Sequence, residues 1–136
     1  VWQTRVVSLC SDKHDGTGTT ALGGLKKKPL QVVVDPDAHM LCKVDMDADI
    51  NMLTRMLTHP RSVWGKLIAA ELLAKQASRK AVDVLVTAYK AEALWITRRL
   101  FAEQLSKITS SKAIQALCEL FELEKDPRVL GVLAMK

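Results

Sequence analysis

Ala70-Glu71-Leu72-Leu73-Ala74-Lys75 recurs 32 residues on as Ala102-Glu103-Gln104-Leu105-Ser106-Lys107, and Lys80-Ala81-Val82-Asp83-Val84-Leu85 recurs at the same offset as Lys112-Ala113-Ile114-Gln115-Ala116-Leu117. A unit this short cannot bury its own apolar face and must stack on copies of itself. Periods of this length belong to helical repeats. A third copy opens with Ala134 opposite Ala102 shortly before the last residue, Lys136, so the pattern reads as part of a longer array, truncated at its C-terminus.

Apolar spacing outward from these stretches predicts a run of helices. Asp49 is placed to cap a first helix with Ile50, Leu53, Met56 and Leu57 on one face, and His59-Pro60 ends it. The second is expected from about Ser62 to Lys75 with Leu67, Ala70, Leu73 and Ala74 inward. The third starts at Ser78 with Ala81, Val82, Leu85 and Ala88 as its stripe. A fourth covers about Leu94 to Lys107, a fifth about Ser110 to Leu123, and a sixth begins at Pro127, which suits a first helical turn, behind the capping Asp126. Ala69, Ala70, Ala81, Ala102 and Ala113 fall where neighbouring helices should approach closely. Antiparallel pairs joined by short turns are the HEAT or armadillo kind of unit, so the fold class is mainly α, an α-α superhelix preceded by a few strands. The sixth helix carries Val129, Leu130, Val132 and Leu133 with few charges, and that end should want another repeat.

Composition agrees with packed helices. Apolar residues make up 49% of the 136, yet aromatics only 4%, so the core must be Ala, Leu, Val, Ile and Met. The net charge of +5 is interspersed, with Lys26-Lys27-Lys28 the one run of three, and lacks the dense basic stripe with interleaved aromatics of a dedicated nucleic-acid binder. Cys10, Cys42 and Cys118 are odd in number and widely spaced, which argues against a disulfide scaffold. No apolar run reaches the roughly 18 to 20 residues of a membrane span, and the first residues do not read as a signal peptide. A cytoplasmic protein without membrane partners is the expectation.

Residues 1 to 44 have another grammar. The stretches 1 to 9 and 30 to 34 are rich in β-branched residues and read as strands, joined by a Gly-rich loop over 12 to 24. A lone strand pair is marginal in water, so this segment is expected to be the remnant of a β-sandwich, with the helical domain running from 45 to 136. Pro36 fixes φ and has no N–H, so Asp35-Pro36-Asp37 is a turn.

The stretch from Val34-Asp35-Pro36-Asp37 through Met40-Leu41-Cys42-Lys43-Val44, followed by a capped helix and Val63-Trp64-Gly65-Lys66-Leu67-Ile68-Ala69-Ala70-Glu71-Leu72-Leu73-Ala74, resembles the aminopeptidase-N-like zinc metallopeptidases. Members leave a small β-sandwich through such a turn and enter a C-terminal domain of HEAT-like repeats. The resemblance implies a non-catalytic module that packs against the catalytic domain of the same parent chain, closes a cavity and guides peptides, with zinc held by that parent. No chemistry comes with it. His14, His39 and His59 each lack a His four residues away, so there is no H-E-x-x-H, and no catalytic, metal or cofactor residue is assigned. The rival is a free-standing HEAT-repeat scaffold that binds a peptide or protein, and a weaker third reading is a DNA-binding surface like that of the HEAT-like DNA glycosylases.

Other clusters yield to plainer readings. Asp45, Asp47 and Asp49 alternate like calcium-loop ligands, but Ile50 and Met56 stand where that loop needs Gly and Glu, so a capping turn is preferred. Asp35, Asp37, His39 and Cys42 match no zinc spacing. Gly16-Thr17-Gly18 lacks a phosphate-loop ending. Cys118, among Ala116, Leu117, Leu120 and Phe121, is expected to be a buried, inert thiol. Trp64 and Trp95 are expected to pack rather than to form a binding ridge. Lys66, Arg98, Arg99 and Arg128 make the one candidate partner face, at matching places on successive helices, against a solvated face with ion pairs to Glu71 or Glu103.

Overall fold

The computed structural model describes residues 29 to 35, 37, 39 and 46 to 134. The expected strand at 1 to 9, the Gly-rich loop at 12 to 24 and the stretch 40 to 44 lie outside the described residues. Residues 30 to 34 are irregular chain and bend rather than ladder. A strand is defined by its partner, and the stretch expected to pair with them is among those not described. Asp35 adopts a positive φ of 45°, and its carboxylate accepts from the His39 amide at 3.0 Å. That is the turn chemistry expected of Asp35-Pro36-Asp37.

Six helices follow: α1 (Ile50–Thr58), α2 (Val63–Gln76), α3 (Arg79–Ala91), α4 (Trp95–Ser106), α5 (Ser111–Leu123) and α6 (Pro127–Leu133). Their starts are chemically marked. Asp49, Ser62, Ser78, Ser110 and Asp126 each accept a backbone amide from the first turn that follows, which satisfies one of the orphan donors of a helix N-terminus. Asp49 is thus a cap, and no three His, Cys, Asp or Glu among the described residues converge as metal ligands.

The contacts arrange the helices in two layers. In one, α2 packs on α4 and α4 on α6; in the other, α1 packs on α3 and α3 on α5. Each layer-one helix also packs on its chain neighbours in layer two. One period of 32 residues therefore carries α2 onto α4 and α3 onto α5, and α1 is the layer-two member ahead of the first full pair. Ala69, Ala70, Ala81, Ala102 and Ala113 are all buried between the layers, where the absence of a larger side chain lets helix axes draw together. Around them close Leu53, Met56, Leu73, Leu85, Phe101, Leu105 and Leu120.

Two details depart from the spacing argument. Leu67 and Ala88, expected inward, are only half-buried, while Met52, Ile68, Leu72 and Tyr89 are buried. α2 touches α1, α3 and α4, so it buries residues around most of its circumference and one stripe cannot describe it. Cys118, expected buried, is exposed. Its sequence neighbours Ala116, Leu117 and Leu120 are inside, but Cys118 is turned about 100° from Leu117 on the helix and faces outward.

Candidate functional site

The four cations of the candidate face do different things. Lys66 on α2 is half-buried and its Nζ lies 2.6 Å from Glu92 Oε2, in the turn after α3. Arg98 is one period further, on α4, and grips Glu124 after α5 with two bonds, Nε to Oε2 at 2.8 Å and Nη2 to Oε1 at 3.1 Å. Its remaining Nη1 reaches the carbonyls of Ala93 at 2.7 Å and Glu92 at 3.3 Å. Arg99 is exposed and pairs along its own helix with Glu103 at 3.0 Å. Arg128 is exposed at the start of α6, pairs with Asp126 at 2.7 Å, and lies 3.7 Å over the Trp95 ring. Glu71 pairs instead with Lys75, at 3.6 Å.

Lys66 and Arg98 are thus clasps at equivalent points of successive repeats. Each ties the first helix of a pair to the turn that leaves the second. The carboxylates also serve the next helix: Glu92 accepts from the Leu94 amide at 3.2 Å, and Glu124 from the amides of Lys125 at 2.9 Å and Asp126 at 3.0 Å. The Arg98 guanidinium, against the opposing cost of burial, holds the Glu124 carboxyl down at about 2. For Glu92, burial pushes the carboxyl up, and bonds from Lys66 and nearby amides outweigh it, leaving it below the usual range.

The second clasp has a member that the first lacks. Tyr89, buried on α3, donates its hydroxyl to Glu124 Oε2 at 2.5 Å. Burial first, and then the adjoining carboxylate, raise the Tyr89 phenol well above its ordinary value. The residue one period earlier is Leu57, which has no hydroxyl to offer Glu92. Between α1 and α3 there is a cleft of about 520 Å³, with Leu57, Val84, Ala88 and Phe101 among its apolar walls, Thr54, Thr58 and Thr87 along them, and the Lys66–Glu92 pair at one end. The three threonine hydroxyls donate back to carbonyls of their own helices, at 2.7, 3.1 and 2.8 Å.

The family model for HEAT repeats matches residues 50 to 135, more than half of the chain. This chain belongs to the HEAT-repeat family. Neither the curated proteins nor the solved structures give a match to it. The HEAT assignment covers the helical array; nothing in the comparisons points to an aminopeptidase-N-like parent.

Of the residues singled out from the sequence, Trp64 and Trp95 are both half-buried and packed against the core of the HEAT array. Trp64 Nε1 finds no acceptor among the described residues. Asp37 and His39 are exposed, and Cys42 lies outside the described residues. Glu92, Glu124 and Tyr89 were not singled out. Their signal was present, because Lys66 to Glu92 and Arg98 to Glu124 are both separations of 26 residues, a cation and a carboxylate copied together by the repeat. No helix among the described residues is long and apolar enough to cross a membrane.

Proposed function

We propose that this HEAT-repeat array is a non-catalytic interaction scaffold that takes a segment of a partner protein in the cleft between α1 and α3. The observation that supports this most is the difference between two successive inter-repeat gaps: Tyr89 occupies the α3 to α5 gap and bonds Glu124, whereas Leu57 leaves the α1 to α3 gap open. The cleft has an apolar floor and a few fixed polar groups, the usual make-up of a binding groove.

Leu57→Tyr tests the reading, because it installs in the first gap the residue that closes the second. The variant should melt no lower than the native chain and should lose the partner. A photoreactive group at Thr87 should crosslink a partner in the native chain and not in the Leu57→Tyr variant, while the same group at exposed Lys125 gives no such product. Equal crosslinking from both positions, or indifference to Leu57→Tyr, would refute the cleft.

The finer reading from the resemblance, a module of an aminopeptidase-N-like zinc peptidase, has in its favour the Asp35 turn with its positive φ at the border of the helical array. Both readings expect the purified chain neither to bind zinc tightly nor to hydrolyse aminoacyl amides. Zinc-dependent hydrolysis by it would sink both.

A further inference from the structure

The 32-residue period allows the two gaps of the second layer to be compared residue for residue. In the α3 to α5 gap, Tyr89 is buried with its hydroxyl on Glu124, and Leu120 of α5 is fully buried. In the α1 to α3 gap the equivalent places hold Leu57 and Ala88, and both line the cleft of about 520 Å³. Val84 stands where α5 has Ala116, which restores less volume than the other two exchanges remove. The carboxylates differ in the same sense. Glu124 Oε2 accepts from both Arg98 Nε and the Tyr89 hydroxyl, whereas Glu92 Oε2 accepts from Lys66, and Oε1 from the Leu94 amide. The Glu92 side chain is 9% exposed and lines the cleft, so the acceptor position that its counterpart fills with a phenol is left open there. Relative to the second gap, the first lacks an aromatic ring that carries a hydroxyl.

Resting on the cleft reading above, we infer that the partner segment is recognised through a tyrosine, whose ring fills the space left by Leu57 and Ala88 and whose hydroxyl donates to Glu92, as Tyr89 donates to Glu124. Leu57, Val84, Ala88 and Phe101 supply apolar walls for the ring. The hydroxyl meets an ionised carboxylate, because Lys66 and nearby amides hold Glu92 below its usual range against the cost of burial. At neutral pH that group accepts hydrogen bonds and does not donate them. A phenylalanine would fill the apolar space but leave the buried acceptor unpaired, and that penalty separates the two residues. A phosphorylated tyrosine would bring a second negative group against Glu92 and be rejected. Tyr89 is the one tyrosine in the sequence and is engaged with Glu124, so a second copy of this chain has none to offer.

The probes are N-acetyltyrosinamide and its phenylalanine and phosphotyrosine counterparts, titrated into the full chain and read from the amide signals of Thr87 and Ala88 by heteronuclear NMR. The tyrosine amide should bind about tenfold or more tighter than the phenylalanine amide, and the phosphotyrosine amide more weakly than either. Leu57→Tyr should abolish binding of all three. A second measurement needs no ligand. Leu57→Tyr should melt above Leu57→Phe, and the difference should vanish when Glu92→Ala is added to both. Equal affinity for the tyrosine and phenylalanine amides, a preference for the phosphate, or equal melting of Leu57→Tyr and Leu57→Phe would overturn the tyrosine and leave the cleft standing. Binding that persists in Leu57→Tyr would overturn both. Binding of none of the probes would overturn the tyrosine, and the crosslink from Thr87 would then show whether the cleft itself survives.

Discussion

Glu124 gathers bonds from three parts of the structure. It takes two bonds from Arg98, one from Tyr89 and two from backbone amides, with its own side chain 5% exposed. A buried carboxylate is costly unless its lone pairs are satisfied, and these are. Glu124→Gln keeps the shape but removes the charge that Arg98 faces, and should lower unfolding free energy at neutral pH by about 1–3 kcal/mol in urea titrations. The folded carboxyl titrates at about 2 against an ordinary 4.5. Its depressed value means that the clasp contributes fully above about pH 4.5 and loses that contribution as pH falls toward 2. The native chain and Glu124→Gln should therefore converge in stability near pH 2; a constant gap from pH 7 to pH 2.5 would show that the charge is not what matters. Tyr89→Phe removes one bond and should cost about 1 kcal/mol by the same measurement.

At the scale of the helices, equivalent positions differ in quality, and the weak ones can be mended. The N-caps of the three layer-one helices are Ser62, Leu94 and Asp126. Leu94 supplies no side-chain acceptor and leaves its own apolar chain 56% exposed. Leu94→Asp should therefore stabilise the protein by about 0.5–1 kcal/mol, read as a higher melting temperature. Ala77 ends α2 with a φ of 47°, in the left-handed region where a Cβ is crowded, while its amide reaches the Leu73 and Ala74 carbonyls at 3.2 Å each. Ala77→Gly should relieve that strain and add up to about 1 kcal/mol. Losses in either case would mean that the native residue makes contacts that offset its local cost. The helices themselves were legible in Ser78, Ser110, Asp49, Asp126 and Pro127, because capping and first-turn chemistry act within four residues. The exposure of Cys118 is not legible from its buried sequence neighbours, because the angle round the helix and not adjacency in the chain decides which side faces solvent.

In the whole molecule the HEAT repeats form a row in which each helix touches only its near neighbours, so stability should be graded along it. Phe101 is 1% exposed and belongs to α4, which packs on α2, α3, α5 and α6. Phe101→Ala should cost about 3–5 kcal/mol and unfold much of the array. Hydrogen exchange should then find the slowest amides in α3 and α4 and faster ones in the seven-residue α6. Uniform protection throughout would mean a single cooperative unit instead. The sequence by itself determined the period, the helices and their caps, because apolar spacing, a capping oxygen or a proline acts over one or two turns. The tertiary structure alone decided that Lys66 and Arg98 each clasp a carboxylate of the turn that leaves the second helix of the pair, that Tyr89 fills one gap while Leu57 leaves the other, and that α5 keeps an open apolar stripe. Those outcomes depend on which residues, 26 or more apart in the chain, are brought within a hydrogen bond of one another, and that distance is set by the stacking of repeats.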